Sequence, residues 1–237
     1  MPPCLKSNLG IATVLVSSFP FSLPAEVILL DETFSYADGD IVGNGSWNNP
    51  TSTGNLTVAA GFLAVPGAAG EYSSEIGFSR AGHENDAIEL TLDASSSTNN
   101  NAITILDPAN RSVIVSWAFA DNPTNGTGWV FNGEQSGITG TVQLAATIDP
   151  GTNTVFGQLF DGSTNSLLFT SSTHAITQSQ LDNSTTVYLY GDSRGQPSDA
   201  TWDNLRLAAV PESSFGALLF SGILALSMCG QMRKSLV

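Results

Sequence analysis

The sequence predicts an all-β protein folded as a two-sheet antiparallel sandwich. Apolar and polar residues alternate with a period of two through most of the chain, most clearly at Ile88–Asp93. Turn-forming Gly, Pro, Asn, Asp and Ser separate these runs at intervals of about 8–12 residues, as in sandwiches and barrels. Between the two chain ends, no comparable stretch carries the i, i+3, i+4, i+7 spacing of an amphipathic helix.

The strands can be assigned in order along the chain. Val27–Leu30 is an apolar run, and Leu56–Val58 and Phe62–Val65 flank Ala60-Gly61 as a predicted tight hairpin. The remaining strands are predicted at Ile88–Asp93, Ala102–Leu106, Val113–Phe119, Val142–Ile148, Thr154–Phe160, Leu167–Thr170, Thr186–Tyr190 and Thr201–Leu207. The long strands and the lack of an internal repeat favour a sandwich over a propeller, and no linker divides residues 26–209 into two domains.

The first 25 residues have the pattern of a secretory signal helix. Lys6 is the only charge in the first ten residues, and Ile11–Leu23 is mostly apolar. Small residues up to Ala25 precede the acidic Glu26, so cleavage is expected after Ala25. Residues 1–25 are therefore predicted to be a signal peptide.

The last 28 residues, 210–237, predict a membrane segment. The run Val210-Pro211-Glu212 opens this tail, residues 215–232 carry no charge, and Arg233-Lys234 follows. Eighteen uncharged residues in a helix would extend about 27 Å, close to the hydrocarbon thickness of about 30 Å. A transmembrane helix is predicted at about residues 215–232, with the basic pair on the cytoplasmic side and the preceding residues outside.

The tail resembles the PEP-CTERM sorting tail of bacterial exported proteins, although Ser213 stands where that family has a second proline. The resemblance implies that an exosortase-type sorting system recognises the opening motif and the basic pair, that is Val210, Pro211, Glu212, Arg233 and Lys234. It also implies an exported protein, anchored in the inner membrane by its C-terminal helix before sorting and then delivered to the cell surface or extracellular matrix.

The composition of residues 26–209 narrows the expected partners. This region has 20 acidic residues, four arginines and no lysine, a formal charge near −16. Nucleic acid and anionic lipid are therefore not expected as partners, because both would be repelled. The two cysteines, Cys4 and Cys229, lie outside the region, so it is expected to contain no disulfide.

Four short motifs resemble the concanavalin A-like jelly roll, a superfamily with laminin-G-like and legume-lectin-like members. They are Leu30–Phe34, Gly45–Trp47, the predicted hairpin Ile148–Val155 and the closing run Trp202–Leu207. The resemblance implies a jelly-roll sandwich in which the last strand lies beside the first.

One sequence run suggests glycoside hydrolysis as an alternative function. Glu84, Asp86 and Glu89 match the Glu-x-Asp-x-x-Glu pattern that laminarinase-like members carry on one strand, where two carboxylates flank the glycosidic bond. Against this, Asn85 stands where those enzymes have an apolar residue, and residues 83–86 are predicted as a loop before the strand. We therefore expect a protein that is not an enzyme.

Acidic residues near both ends of the sandwich are candidate ligands of a structural calcium ion. Calcium prefers six to eight oxygen ligands. The resemblance to the jelly roll implies that such an ion would lie between the first and last strands. The candidates are Asp31, Glu32, Asp38 and Asp203, with Asp40 beside them. Solvated turn acids are the alternative interpretation.

Sugar binding would need one or two exposed aromatic rings, and core packing is the alternative for each of them. The aromatic residues considered are Trp47, Trp117, Trp129 and Trp202, with Tyr188 and Tyr190. Trp117 and Trp202 lie in alternating strands and are predicted to be core, whereas Trp129 follows Gly126-Thr127-Gly128, a predicted turn, and is the candidate for an exposed sugar-binding ring. The expected function is an exported, non-catalytic surface or matrix protein that binds polysaccharide. A hydrolase using Glu84 and Glu89, and a purely structural adhesion component, are the alternatives.

Overall fold

A computed structural model describes residues 25–49, 51, 53–97, 100–122, 126–194 and 198–211. The predicted signal segment before residue 25 and the predicted tail from Glu212 onwards lie outside these residues. Among the residues described, no helix has both the length and the apolar character needed to cross a membrane.

The described part of the chain forms sixteen strands and one short helix. The strands are β1 (Val27–Glu32), β2 (Gly39–Asp40), β3 (Thr57–Ala59), β4 (Phe62–Ala64), β5 (Glu71–Gly77), β6 (Ala87–Ser96), β7 (Asn101–Leu106), β8 (Val113–Asn122), β9 (Gly126–Phe131), β10 (Glu134–Gln135), β11 (Gly140–Asp149), β12 (Thr154–Asp161), β13 (Leu167–Thr170), β14 (His174–Ala175), β15 (Thr186–Asp192) and β16 (Thr201–Val210). The helix, α1, is Gln178–Asn183.

These strands form two antiparallel sheets, as the sequence predicts. The ten-stranded sheet has the order β13-β12-β11-β6-β16-β4-β3-β2, with β1 also paired to β16 and β14 to β12. The six-stranded sheet has the order β10-β9-β8-β7-β15-β5. The first and last strands pair with each other, with Leu30 opposite Leu207 and Asp31 opposite Arg206, which confirms the expected closing of the sandwich.

The core lies between the inner faces of the two sheets and is rich in aromatic rings. Two cross-strand pairs from β8 and β9 pack there, Trp117 with Phe131 at a centroid distance of 4.9 Å and Phe119 with Trp129 at 5.3 Å. Gly157 of β12 faces this cluster, and a Cβ atom at that position would lie 2.4 Å from the ring of Phe131. A glycine is required there because the rings occupy the space of a side chain.

The two-residue strands β2, β10 and β14 were not predicted, and three longer elements also depart from the sequence prediction. β5 reads Glu-Tyr-Ser-Ser-Glu-Ile-Gly, and its polar residues hide the alternation that marks a strand. β9 replaces a predicted turn at residues 126–129. α1 begins with a capping box in which Thr177 and Gln180 bond reciprocally, a signal readable in the sequence as Thr-x-x-Gln.

Candidate functional site

The three carboxylates of the hydrolase alternative do not share one strand, in agreement with the predicted loop at residues 83–86. Glu84 and Asp86 precede β6, which begins at Ala87, and only Glu89 lies on the strand, where it is exposed on the outer face of the ten-stranded sheet. Asp86 contacts His83 at 2.8 Å. Glu84 accepts a hydrogen bond from the N–H of Gly82, which lowers the pKa of Glu84, whereas a general acid needs a raised pKa. These three side chains therefore do not form the laminarinase-like arrangement that the alternative function requires.

The four predicted calcium ligands serve separate local contacts. Asp203 lies opposite Asp93 of β6, whereas Asp31 lies opposite Arg206. Asp38 accepts from the N–H of Ala60 at 2.9 Å. Across the ranges given above, no three His, Cys, Asp or Glu side chains are grouped closely enough to hold a metal ion. Calcium binding stays a prediction, which titration with the metal would test.

Glu32, the fourth predicted ligand, is a buried structural acceptor. Its side chain is 7% exposed and accepts three hydrogen bonds, from the N–H of Phe34 at 2.8 Å, the hydroxyl of Tyr36 at 2.8 Å and the indole of Trp47 at 3.0 Å. Burial raises the pKa of Tyr36 to about 12, and the Glu32 carboxylate adds to that effect. The motifs Leu30–Phe34 and Gly45–Trp47 therefore meet at this carboxylate.

Trp129 is fully buried, so the expectation that its ring is exposed for sugar stacking is wrong. It lies on β9 with Phe131, and both rings point into the core. Gly128 suggested a turn in the sequence, but in the structure it lies within β9, with a φ of +143°, and its backbone packs closely against that of Ile138. A Cβ atom at Gly128 would lie 2.7 Å from the carbonyl oxygen of Ile138. Trp117 and Trp202 are buried as predicted.

The predicted sorting residues fall mostly beyond the described part of the chain. Val210 is the last residue of β16 and pairs with Ala87, and Pro211 follows it. Glu212, Arg233 and Lys234 lie outside the described residues.

Two tyrosines form a surface that the sequence interpretation did not single out. On β15 the buried Val187 and Leu189 face the core, so Tyr188 and Tyr190 point outward from the six-stranded sheet, where both are partly exposed. Their Cα atoms are about 6.6 Å apart, because successive residues on one face of a strand are two rises of about 3.3 Å apart. We call the outer side of this sheet around the two rings the tyrosine face.

The neighbouring strands contribute mainly small side chains to this face. Ala102 of β7 lies opposite Tyr190, and Ala118 of β8 continues that row. Thr104 lies opposite Tyr188, and Ser116 continues the second row. The two rings therefore stand beside a low surface, which leaves room for a flat ligand next to them.

An arginine and a glutamate flank Tyr188. The guanidinium carbon of Arg111 lies 4.5 Å from the centre of the Tyr188 ring, a cation–π contact. The Arg111 Nη1 atom is 2.6 Å from the Oε2 atom of Glu75, which lies opposite Tyr188 on β5. Arg111 is thus held in place from two sides.

A second ionic group flanks Tyr190. Arg194 pairs with Asp192 through two of its nitrogens, at 3.0 and 2.7 Å, and its Nη2 atom is 2.5 Å from the Oε1 atom of Glu71. The hydrogen bond with Arg194 lowers the pKa of Asp192 and raises that of Arg194. The hydroxyl of Tyr190 donates to Glu71 at 3.2 Å, and burial together with Asp192 and Glu71 raises the pKa of Tyr190 to about 12.

A group of three hydroxyls adjoins Tyr190 on the β5 side. Ser73 lies opposite Tyr190 and is fully buried, and its Oγ atom is 2.8 Å from Thr51 Oγ1 and 2.7 Å from Thr53 Oγ1. Only the two threonine hydroxyls are therefore accessible from outside. Aromatic rings, paired carboxylates and guanidiniums, and hydroxyls are the groups that bind sugars: the rings stack on the apolar faces of sugars, and the polar groups bond their hydroxyls.

The alternation in β15 contained the signal for this face. The run Val187-Tyr188-Leu189-Tyr190 places both tyrosines on the side opposite the aliphatic residues. Tyr190 and Glu71 are 119 residues apart in the sequence, and Arg111 and Glu75 are 36 residues apart, so only the folded sheet brings the group together.

No protein-family model and no curated protein matches this sequence. Solved structures with a similar fold include the CBM2 module of the evolved Dit protein of Lactobacillus casei BL23 phage J-1, with a TM-score of 0.52, 12% identity and coverage of 80% of this chain and 98% of that chain. Peanut lectin, solved with a nine-residue peptide, has a TM-score of 0.51, 10% identity and coverage of 78% and 98%. Basic winged bean lectin, solved with Tn-antigen, has a TM-score of 0.51, 10% identity and coverage of 80% and 100%. These likenesses support the predicted lectin-type jelly roll as the fold of the described domain.

Proposed function

We propose that this protein is a non-catalytic carbohydrate-binding protein that takes its ligand on the tyrosine face. The observation that carries the proposal is the placement of Tyr188 and Tyr190 on one outer face, each beside a fixed arginine and glutamate. Aromatic rings with fixed polar groups around them are a general means of binding amphipathic rings such as sugars. The similarity to a CBM2 module and to lectins supports the same class of ligand.

Retention on immobilised polysaccharides tests this proposal. The full chain is passed over a panel of polysaccharides, and we expect Tyr190→Ala to reduce retention at least tenfold, equivalent to about 1.4 kcal/mol. This loss lies within the range of about 1–3 kcal/mol that an aromatic side chain contributes when a nucleobase, another flat ring, stacks on it. Phe62→Ala is the matched control, because Phe62 is an exposed ring (45%) on the ten-stranded sheet. Retention that is equal in wild type and Tyr190→Ala would contradict the proposed site.

We further propose that the protein is exported and sorted through its C-terminal tail to the cell surface or extracellular matrix. The sequence pattern of residues 1–25 and 210–237 supports this proposal. Intact mass of the mature protein is the test: removal of the first 25 residues and of residues beyond Val210 is expected. A mature chain that keeps Met1 would contradict export through this signal.

Glycoside hydrolysis is not proposed. Glu84 and Asp86 lie in the loop before β6 and are engaged by local donors, so the carboxylates are not presented side by side on one strand.

A further inference from the structure

The charged groups of the tyrosine face favour uncharged glycans over anionic ones, an inference that rests on the proposed function. Three carboxylates and two guanidiniums contact the tyrosines or one another, namely Glu71, Glu75, Asp192, Arg111 and Arg194. Both guanidiniums are already paired with carboxylates at 2.5–2.7 Å. One carboxylate is in excess, so the group as a whole is negative.

This balance disfavours an anionic ligand. A uronate, sulfate or phosphate group bonded to Arg111 would lie beside the Glu75 carboxylate, and one bonded to Arg194 would lie beside Asp192 and Glu71. Each carboxylate would repel the anion, because like charges at such short distances repel. The rest of the domain adds repulsion, because residues 26–209 contain 20 acidic residues and four arginines. An uncharged sugar meets neither obstacle.

The remaining hydrogen-bonding groups suit sugar hydroxyls. A hydroxyl both donates and accepts, and it can bond a carboxylate oxygen and a guanidinium N–H without separating them. Glu71 and Arg194 offer this combination beside Tyr190. The hydroxyls of Thr51 and Thr53, which bond the buried Ser73, continue it towards β5.

The two tyrosines have different roles in this arrangement. Arg111 already lies over the ring of Tyr188, so that ring holds the guanidinium in place. In the described part of the chain, no cation lies over the ring of Tyr190, which leaves this ring for stacking. From Tyr188 to Asp192 the strand extends about 13 Å, longer than one sugar ring.

We propose that the tyrosine face binds an uncharged glycan of at least two sugar units lying along β15, with one ring stacked on Tyr190 and hydroxyls bonded by Arg111 and Arg194. This inference rests on the proposed carbohydrate-binding function and adds the ligand's charge, minimum length and orientation.

A panel of polysaccharides of known charge tests the inference. The full chain is passed over neutral dextran, xyloglucan and mixed-linkage β-glucan, and over anionic alginate, polygalacturonate and hyaluronate, at an ionic strength near 0.15 M. Each retained glycan is tested again with Tyr190→Ala, with Tyr190→Phe and with the control Phe62→Ala. Circular dichroism and thermal unfolding of each variant confirm that it is folded. Oligosaccharides of one to four units from the retained glycan then compete for binding.

We expect retention on one or more neutral glycans that falls at least tenfold in Tyr190→Ala and survives in Tyr190→Phe and Phe62→Ala. We also expect a disaccharide or longer oligomer to compete at least tenfold better than the monosaccharide. Tyr190-dependent retention on an anionic glycan, or equal competition by the monosaccharide, would overturn the inference and leave the proposed function standing. Retention on none of the six would overturn both.

Discussion

The guanidinium of Arg111 lies over the ring of Tyr188, with 4.5 Å between the guanidinium carbon and the ring centre. Arg111 belongs to the turn between β7 and β8, and its φ of +60° is in the left-handed region, which costs about 1 kcal/mol for a residue other than glycine. The N–H of Arg111 donates to the carbonyl of Asp107 at 2.8 Å and closes the turn. This backbone conformation and the ion pair with Glu75 together hold the side chain on the tyrosine face.

Arg111→Ala is expected to weaken binding of a neutral glycan about tenfold, equivalent to about 1.4 kcal/mol, because a hydrogen bond to a charged group contributes about 1.5–3 kcal/mol. Isothermal titration with the retained oligosaccharide measures the change. Arg206→Ala is the matched control, since Arg206 is also partly exposed and paired, with Glu26, but lies on the ten-stranded sheet. An unchanged Kd in Arg111→Ala would show that Arg111 does not contribute to glycan binding.

Trp129→Phe is expected to lower stability without changing glycan affinity. Trp129 is fully buried against Phe119, so the smaller ring leaves a cavity that costs about 1–3 kcal/mol. Urea unfolding and titration of the same preparation give both quantities. A loss of affinity with unchanged stability would show that Trp129 contacts the ligand.

Glu32→Gln is expected to destabilise the domain by about 1–3 kcal/mol. Glu32 accepts three hydrogen bonds, and the amide nitrogen of glutamine would face one of those donors and leave it without an acceptor. Glu89→Gln is the control, because Glu89 is exposed on the outer face and a change within about 0.5 kcal/mol is expected. Equal unfolding midpoints for both variants would contradict the structural role of Glu32.

Gly157→Ala is expected to cost about 1–3 kcal/mol. The new methyl group would lie 2.4 Å from a ring carbon of Phe131 and 2.7 Å from one of Trp117, so the packed rings would have to shift. Gly67→Ala provides the comparison, because a Cβ atom there meets no atom within 4 Å. Thermal unfolding of the two variants should differ by several degrees, and coincident curves would show that the aromatic cluster can relax.

The stability of the domain is expected to fall as the pH rises from about 10 to about 12. The pKa of the Tyr36 hydroxyl is raised from 10 to about 12 in the folded domain. Between these pH values the hydroxyl loses its proton more readily in the unfolded chain, so the free energy of unfolding falls as the pH rises from about 10 to about 12. Tyr36→Phe should therefore show a shallower decline in the free energy of unfolding than wild type. Unfolding curves measured at several pH values give both slopes. Equal pH dependence of the free energy of unfolding in wild type and Tyr36→Phe would contradict the predicted role of Tyr36.

The strands that could be predicted are those with a clear apolar alternation. β6, β11 and β12 follow this pattern, and the structure places them side by side in the ten-stranded sheet. β5 could not be predicted in this way, because Ser73, Ser74 and Glu75 are buried by cross-strand pairing and polar contacts that a single strand does not reveal. Gly128 led to a wrong prediction for a related reason. A glycine in a sequence can mark either a turn or a place where two backbones pack closely, and the sequence does not distinguish the two.

The sequence by itself determined the fold class, because alternation and turn residues are local properties of the chain. The pairing of the first and last strands was implied only by the resemblance to the jelly roll, and the structure confirms it. The sequence also placed Tyr188 and Tyr190 on one side of a strand. Only the tertiary structure decided that Trp129 is buried, that Glu32 accepts bonds from Tyr36 and Trp47, and that Arg111 lies over Tyr188. Those relationships join residues far apart in the chain, and they depend on the order and register of the strands between them.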